Sequence, residues 1–596
     1  MKLDGEASQP QRKTDRVKGL NKNTQRVIFS LVAFACALAT WSGIAAKPLY
    51  YDDWSVVLHT RQQNAQTLNL SQVLFRHEDF GERTPRPVTS LSYVFDLQYN
   101  PCNLLLCDES KLDSICPLCM HLTNLILHGL GVAALFLLLS QFIKISRAFL
   151  GALLFATHPL LANTIAFPGF REDIISMLLG TLALVAFVQY LRSDRFQYSV
   201  LSGLLFLAAL FSKENVVFLP LVFLVIAFVE KGRDWELRPM AYLKALAPII
   251  AVSLMHMLIY FYYSKSTVPA DYFGDTYFER LLTIGRPLGR AVWMPLAPVG
   301  QRLVYDYFSP CHDASSYLGL ALFAALAALG IVAVVKRSPT SIGLITFGAT
   351  FIPTSNIIVL IWHVFAERYL YFPTAGLIFA LCISLSGFVE NREFRRRSAI
   401  FVVIAISIVV VFCFATQKRI HVLADDQRAW TESVERSPGN PLAHNSLATI
   451  KWKNNNFDEC ATHARRALDL MPEYINAGVN LLRCLQSLDD DEGALREIDR
   501  RPALATHPDI ANFKALSLIR LERYAEAIQF IETELQSRPG DQTSIRFYLA
   551  ALIKSGNCVK LVEFQNRYLG SDDMAARALI KSFSQDFKRC RSELGL

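Results

Sequence analysis

VIFSLVAFACALATWSGIAA, residues Val27–Ala46, decides how the rest of the chain is read; Lys2, Arg12, Lys13, Arg16, Lys18, Lys22 and Arg26 precede it and Tyr51-Asp52-Asp53-Trp54 follows. About 20 apolar residues suffice for a helix to cross a bilayer. The run exceeds the roughly 7–15 residues of a signal-peptide core, so it reads as an uncleaved anchor with a cytoplasmic basic head. Comparable runs lie near 121–143, 148–166, 174–191, 197–212, 215–229, 241–263, 315–335, 340–361, 370–389 and 398–416, which makes eleven expected spans. Composition agrees: of 596 residues 52% are apolar, 11% aromatic and only 19% charged, against about 25% charged in soluble domains. Mean hydropathy is +0.28. These values exclude an ordinary soluble enzyme, a disordered chain and a collagen-like fibre.

With the head inside, alternate short loops fall at Lys144/Arg147, Arg192/Arg195, Lys231/Arg233/Arg238, Lys336/Arg337 and Arg392/Arg395/Arg396/Arg397. All are basic, as the positive-inside rule requires. The net charge of +8 is therefore a topological signal and implies no nucleic-acid partner. A twelfth span at 281–300 would move the Lys336/Arg337 loop outside, so that stretch reads as interfacial or re-entrant. The expected organisation is a cytoplasmic head at 1–26, a transmembrane domain at 27–416 with outer loops 47–120 and 264–314, and an outward tail at 417–596. The first outer loop holds Cys102, Cys107, Cys116 and Cys119, read as one or two disulfides, with zinc at Cys116/Cys119 the alternative. Cys36, Cys382 and Cys413 read as packing residues in spans.

Past Thr416 the composition is that of a soluble helical domain. Pro438, Pro472, Pro508 and Pro539 recur at spacings of 34, 36 and 31, with small residues in phase at Cys460, Ala494 and Ala527 and rings at Phe457 and Tyr524. This is the tetratricopeptide pattern. It predicts three repeats, a degenerate fourth at 542–569 and a capping helix to Leu596. Stacked repeats bind peptides or proteins on a concave face; a spacer or dimerisation arm is the alternative.

Ionisable groups gather at the outer ends of the expected spans: Asp52-Asp53, His158 before Pro159, Arg171-Glu172-Asp173, Lys213-Glu214, Asp306, His363 and Glu367-Arg368. A charge at the bilayer centre costs about 2.5–3.5 kcal/mol on insertion scales, and any one cluster could be an anchor or structural ion pair. Five mixed-sign clusters on one face predict a shared polar cavity. A transporter would place such groups near the midplane. Carboxylates supply a general base and sugar contacts, and Arg and Lys hold a leaving phosphate. A lipid-phosphate-linked sugar reacting at the interface fits this inventory.

The sequence resembles GT-C-type polyprenyl-phosphate-sugar-dependent glycosyltransferases, most closely the transmembrane, tetratricopeptide-repeat O-mannosyltransferases. The resemblance rests on Asp52-Asp53 after the first span, Arg86-Pro87-Val88-Thr89, His121 to His128 with Asn124, Ser212-Lys213-Glu214, Asp306-Tyr307, Pro353-Thr-Ser-Asn356 and Ala366-Glu367-Arg368-Tyr369-Leu370-Tyr371. It extends over about 48–569, with one departure: after His158-Pro159 the family usually has Glu where this chain has Asn163. It implies an all-α GT-C membrane bundle and a general base at Asp52 or Asp53. It further implies phosphate contacts at Arg171, Lys213 and Arg368, with Glu172, Asp173, Glu214, Asp306 and Glu367 holding those cations or touching the sugar. Arg83, Arg86 and His158 are supporting candidates. No cofactor is certain, and a divalent Mg or Mn ion beside the aspartates is compatible.

The expected reaction moves a sugar from a polyprenyl-phosphate donor to a protein Ser or Thr hydroxyl, inverting the anomeric centre. The expected partners are that donor, a protein acceptor on the repeats, and membrane lipids. The rivals are transfer to a lipid or surface glycan, en bloc oligosaccharide transfer, a transporter, and a non-catalytic scaffold. With no Lys-Asp-Glu-Leu-type terminus and a compact chain, the expected location is a bacterial inner membrane with a periplasmic tail, rather than the ER.

Overall fold

The computed structural model describes residues 21–50, 53, 86–99, 117–231, 239–263, 276–306, 313–361, 363–390, 398–569 and 583–594. Among these every regular element is helical. The chain divides into two compact units, Met1–Gln301 with Tyr307–Ala424, and Arg302–Asp306 with Asp425–Leu596.

The first unit contains α1 (Lys22–Trp41), α2 (Pro87–Val94), α3 (Pro117–Leu139), α4 (Ile145–Ala156), α5 (Ala162–Ala166), α6 (Arg171–Ser193), α7 (Phe196–Leu210), α8 (Leu219–Lys231), α9 (Pro239–Tyr263), α10 (Tyr277–Trp293), α11 (Ala314–Val335), α12 (Thr340–Phe351), α13 (Tyr371–Glu390) and α14 (Ser398–Leu423). Seven helices among the described residues are long and apolar enough to cross a membrane, or eight if the bent pair 145–156 and 159–166 counts as one. Eleven were expected. The other three runs are helical but short, because polar punctuation cuts them: Lys213-Glu214 separates α7 from α8, and Pro353-Thr-Ser-Asn356 ends α12. Most of α3, α6 and α13 is buried, whereas α1, α11 and α14 turn most of their apolar surface outward. Helices that are apolar all round yet little buried are suited to lipid. Where α12 crosses α13 the backbones touch, and a Cβ on Gly343 would clash with the Gly376 carbonyl, the small-residue packing that membrane helices favour.

The bend at 158–159 has a local cause. Pro159 lacks an N–H and drives His158 to an extended φ/ψ of −72°/115°. His158 Nδ1 then accepts from the Leu160 N–H at 3.3 Å, while Nε2 faces the Pro295 carbonyl at 2.9 Å.

The second unit stacks α15 (Asp426–Arg436), α16 (Pro441–Lys453), α17 (Phe457–Leu470), α18 (Ile475–Ser487), α19 (Asp491–Arg500), α20 (Pro502–Ala505), α21 (Pro508–Arg520), α22 (Tyr524–Ser537), α23 (Gln542–Lys554), α24 (Cys558–Leu569) and α25 (Ser584–Glu593). Cys460, Ala494 and Ala527, the small residues in phase, are fully buried. A left-handed residue recurs at Asn455, Asp489, Glu522 and Gly556, at intervals of 34, 33 and 34. After each, an N–H closes back on a helical carbonyl: Asn456 to Lys451, Asp490 to Leu485, Arg523 to Leu518 and Asn557 to Leu552. This is a Schellman stop used four times, once per helix pair. The varied side chains at these positions hide the periodicity in the sequence. Disulfides join Cys460 to Cys484 and Cys558 to Cys590. Cys119 is also disulfide-bonded; Cys102, Cys107 and Cys116 lie outside the described residues.

Candidate functional site

The site is built where the N-terminus of α6 meets the turn between α7 and α8. Glu172 and Asp173 occupy the first turn of α6, where free N–H groups and the helix dipole favour carboxylates. Lys213, extended at φ −161° and ψ 139°, follows α7. Its Nζ reaches Asp173 at 2.6 Å and Glu172 at 3.3 Å. Arg86 precedes Pro87, the first residue of α2, a position proline favours. Its guanidinium contacts Glu214 at 2.6 Å and Glu172 at 3.1 Å. Val88 and Thr89 dock α2 on the same turn, the Val88 N–H donating to Phe211 and the Thr89 hydroxyl to the Ser212 carbonyl. Two stretches more than a hundred residues apart thus form one structure. Arg368 lies over the Phe170 ring at 4.1 Å and acts electrostatically on Glu172 and Asp173. Three cations therefore face three carboxylates. The cluster is only partly sealed: the Glu214 side chain is 30% exposed and that of Lys213 5%.

A second layer beneath it is sealed. Arg171 and Asp96 pair at 2.5 Å with side chains 0% exposed. The remaining Arg171 donors go to Asn124 Oδ1, Ser92 and the Met120 carbonyl. Expected as a phosphate contact, Arg171 instead ties α2, α3 and α6 together, because a guanidinium buried this deeply must spend its N–H groups on protein. Asp53 is likewise fully buried, facing Lys47 at 3.7 Å and accepting from the Gly169 N–H at 2.9 Å.

Glu367 is buried and accepts from Asn163 Nδ2 at 3.1 Å, and Arg419 donates to Asn163 Oδ1 at 3.5 Å. Asn163, the departure from the family pattern, thus lies beside a carboxylate supplied by another motif. His158 is spent on its turn and on Pro295, as above. His128 Nδ1 meets the Tyr371 hydroxyl at 2.7 Å. Asn356 (φ 61°) closes the loop before Glu367 by accepting from Ile361 and donating to the His363 carbonyl. Asp306 belongs to the second unit, where Arg302 faces it at 3.6 Å. Asp52 and Arg83 lie outside the described residues. Lys47, Asp96 and Arg419 were missed in the sequence; Lys47 and Asp96 stand as lone charges beside or within apolar stretches, while Arg419 follows Lys418 at the end of one. Among the described residues the one group close enough to share a metal ion is Cys558, Cys590 and Glu593, whose sulfurs are joined in a disulfide.

Residues 118–259 match the family model described as Dolichyl-phosphate-mannose-protein mannosyltransferase. Protein O-mannosyl-transferase TMTC1 of Mus musculus is 26% identical over 256 residues, 39% of this chain and 27% of that protein. Protein O-mannosyl-transferase TMTC3 of Mus musculus is 22% identical over 514 residues, 77% of this chain and 53% of that protein. The chain spans between about a quarter and about half the length of these relatives. Archaeal oligosaccharyltransferase AglB from Archaeoglobus fulgidus, solved with an inhibitory peptide and a dolichol-phosphate, aligns at TM-score 0.32 and 12% identity over 74% of this chain and 59% of that one. The helices are those of a multi-pass membrane protein, and the sequence is similar to protein O-mannosyltransferases, in line with the resemblance read from its motifs.

Proposed function

We propose that the chain moves a mannose-type sugar from a polyprenyl-phosphate donor to a Ser or Thr hydroxyl of a protein, at the outer ends of its spans. The observation that carries this reading is the partly exposed cluster of Arg86, Lys213 and Arg368 with Glu172, Asp173 and Glu214. Of these, Glu172, Asp173, Lys213 and Glu214 fall inside the matched segment 118–259. Cations balanced by carboxylates in a partly exposed cluster can turn toward an arriving phosphate without leaving a buried charge unpaired. In the reaction the acceptor oxygen bonds to the anomeric carbon as that carbon's bond to the phosphate oxygen breaks. The acceptor proton passes to a carboxylate of the Asp52-Asp53 pair, and Lys213, Arg368 and Arg86 neutralise the departing phosphate. One direct displacement inverts the anomeric centre. A divalent ion beside Asp52 is compatible with this scheme and no step requires it.

The tail serves as a tetratricopeptide stack that presents the acceptor, a reading supported by the fourfold Schellman stops and the buried small residues. Its two disulfides and the basic alternate loops both favour a non-cytoplasmic tail. The test is transfer by the full chain in detergent from polyprenyl-phosphate-mannose to proteins of its host envelope, read by mass spectrometry. A hexose on Ser or Thr peptides supports the proposal. A hexose on lipid or glycan alone moves the acceptor, and no transfer with intact donor binding rejects it.

A further inference from the structure

Lys47 and Asp53 are fully buried, and they connect more elements than a local ion pair needs to. Asp53 Oδ1 accepts from the Gly169 N–H at 2.9 Å, and Oδ2 accepts from the Tyr50 N–H at 3.3 Å and faces Lys47 Nζ at 3.7 Å. Both side chains are 0% exposed. The Lys47 ammonium lies 3.9 Å from the Tyr50 and Phe167 ring centres and donates to the Ala166 carbonyl at 2.8 Å. His121 Nε2 faces the Lys47 carbonyl at 3.0 Å, and the Tyr50 hydroxyl donates to the Leu423 carbonyl at 2.6 Å. The strap leaving α1 is thereby tied to α3, to the end of α14 and to residues 166–169, immediately before Arg171-Glu172-Asp173.

A proton acceptor must present a lone pair to the acceptor hydroxyl at hydrogen-bond distance. Asp53 has both oxygens committed and no accessible surface. We infer that Lys47 and Asp53 form a positioning clamp, which holds the acidic strap in register with the carboxylate-bearing start of α6, and that Asp53 is not the proton acceptor. The inference rests on the proposed transferase reading for its kinetic half, while its structural half can be read without activity.

The experiment uses the full chain in detergent with polyprenyl-phosphate-mannose and an acceptor peptide. Asp53→Asn lowers kcat about 10- to 100-fold, as a small misplacement of reacting groups does, leaves the donor KM unchanged and keeps the acid limb of the pH–rate profile. Lys47→Arg retains more activity than Lys47→Met. The Lys47→Met/Asp53→Asn double variant, which leaves no unpaired buried charge, guards against simple misfolding and stays slow. Independently of turnover, amide exchange at Gly169 and Tyr50, whose N–H groups donate to Asp53, is at least about tenfold faster in Asp53→Ala than in wild type, as expected when a buried acceptor is lost. Loss of the acid limb in Asp53→Asn overturns the inference, as does wild-type kcat in Asp53→Asn or unchanged exchange at Gly169 and Tyr50 in Asp53→Ala. Failure of the wild-type chain to use the donor condemns the transferase reading instead, and the exchange measurement still judges the clamp.

Discussion

Lys213 and Arg171 are both buried cations facing carboxylates, yet their removal should have different consequences. Lys213 lies in the half-open cluster with Asp173 and Glu172 as its partners. Lys213→Ala is expected to lower transfer by about 10²–10³-fold, the loss typical when a group stabilising developing charge is deleted, with the protein still folded by size exclusion. Arg171 is sealed against Asp96. Arg171→Ala strands that carboxylate and should cost about 3–5 kcal/mol, the usual penalty for halving a buried pair. The measurement is recovery of folded protein, with activity per folded molecule falling less than in Lys213→Ala. From sequence alone the two cations were indistinguishable, each sitting beside acidic residues at the end of an apolar run. Their surroundings separate them: Arg171 is sealed under α2 and α3, which lie far from it in sequence, whereas Lys213 shares its cluster with the partly exposed Glu214.

At the scale of elements, α16 and α17 meet through His444 and His463, whose Nδ1 atoms lie 3.1 Å apart while His444 Nε2 faces the Pro438 carbonyl. Burial pushes both imidazoles below their ordinary value, and Arg466 adds to this at His444, as His444 and Lys451 do at His463. Above about pH 6.5 both are neutral whether folded or unfolded. Below that the unfolded chain takes up protons first, so stability falls as pH drops toward the lowered folded values. Melting of the solubilised chain should therefore decline between pH 7.5 and 5.5, and His463→Asn should flatten the decline. The helix ends show what was legible locally. Asn440, Asp490 and Asp541 are recognisable caps, each accepting from an N–H three residues on, whereas the stops at Asn455, Asp489, Glu522 and Gly556 share a backbone conformation and no side-chain type.

For the whole molecule, the two tail disulfides and the basic loops make one statement about sidedness. Non-reducing digestion of protein alkylated in intact cells should yield linked Cys460–Cys484 and Cys558–Cys590 peptides, while Cys36, Cys382 and Cys413, which are thiols, take the alkylating agent after denaturation. Free thiols at the four tail positions would place the tail on a reducing side. The sequence by itself determined that the chain is helical, crosses a membrane repeatedly and ends in a periodic helical tail. Those properties follow from transfer free energy and local spacing, which are sums over neighbouring residues. It also marked most charged groups of the site by their incongruity in apolar surroundings. The eleven expected runs resolve, among the described residues, into seven or eight helices long enough to cross a membrane and three shorter apolar ones, because apolarity along the chain does not register where a helix stops. Only the tertiary structure decided that Lys47 holds Asp53, that Asp96 takes Arg171 out of reach, and that Asp306 belongs to the other unit. A buried charge is neutralised by whatever partner folding brings within about 4 Å, and these partners come from turns and helices whose order along the chain does not foretell their contact.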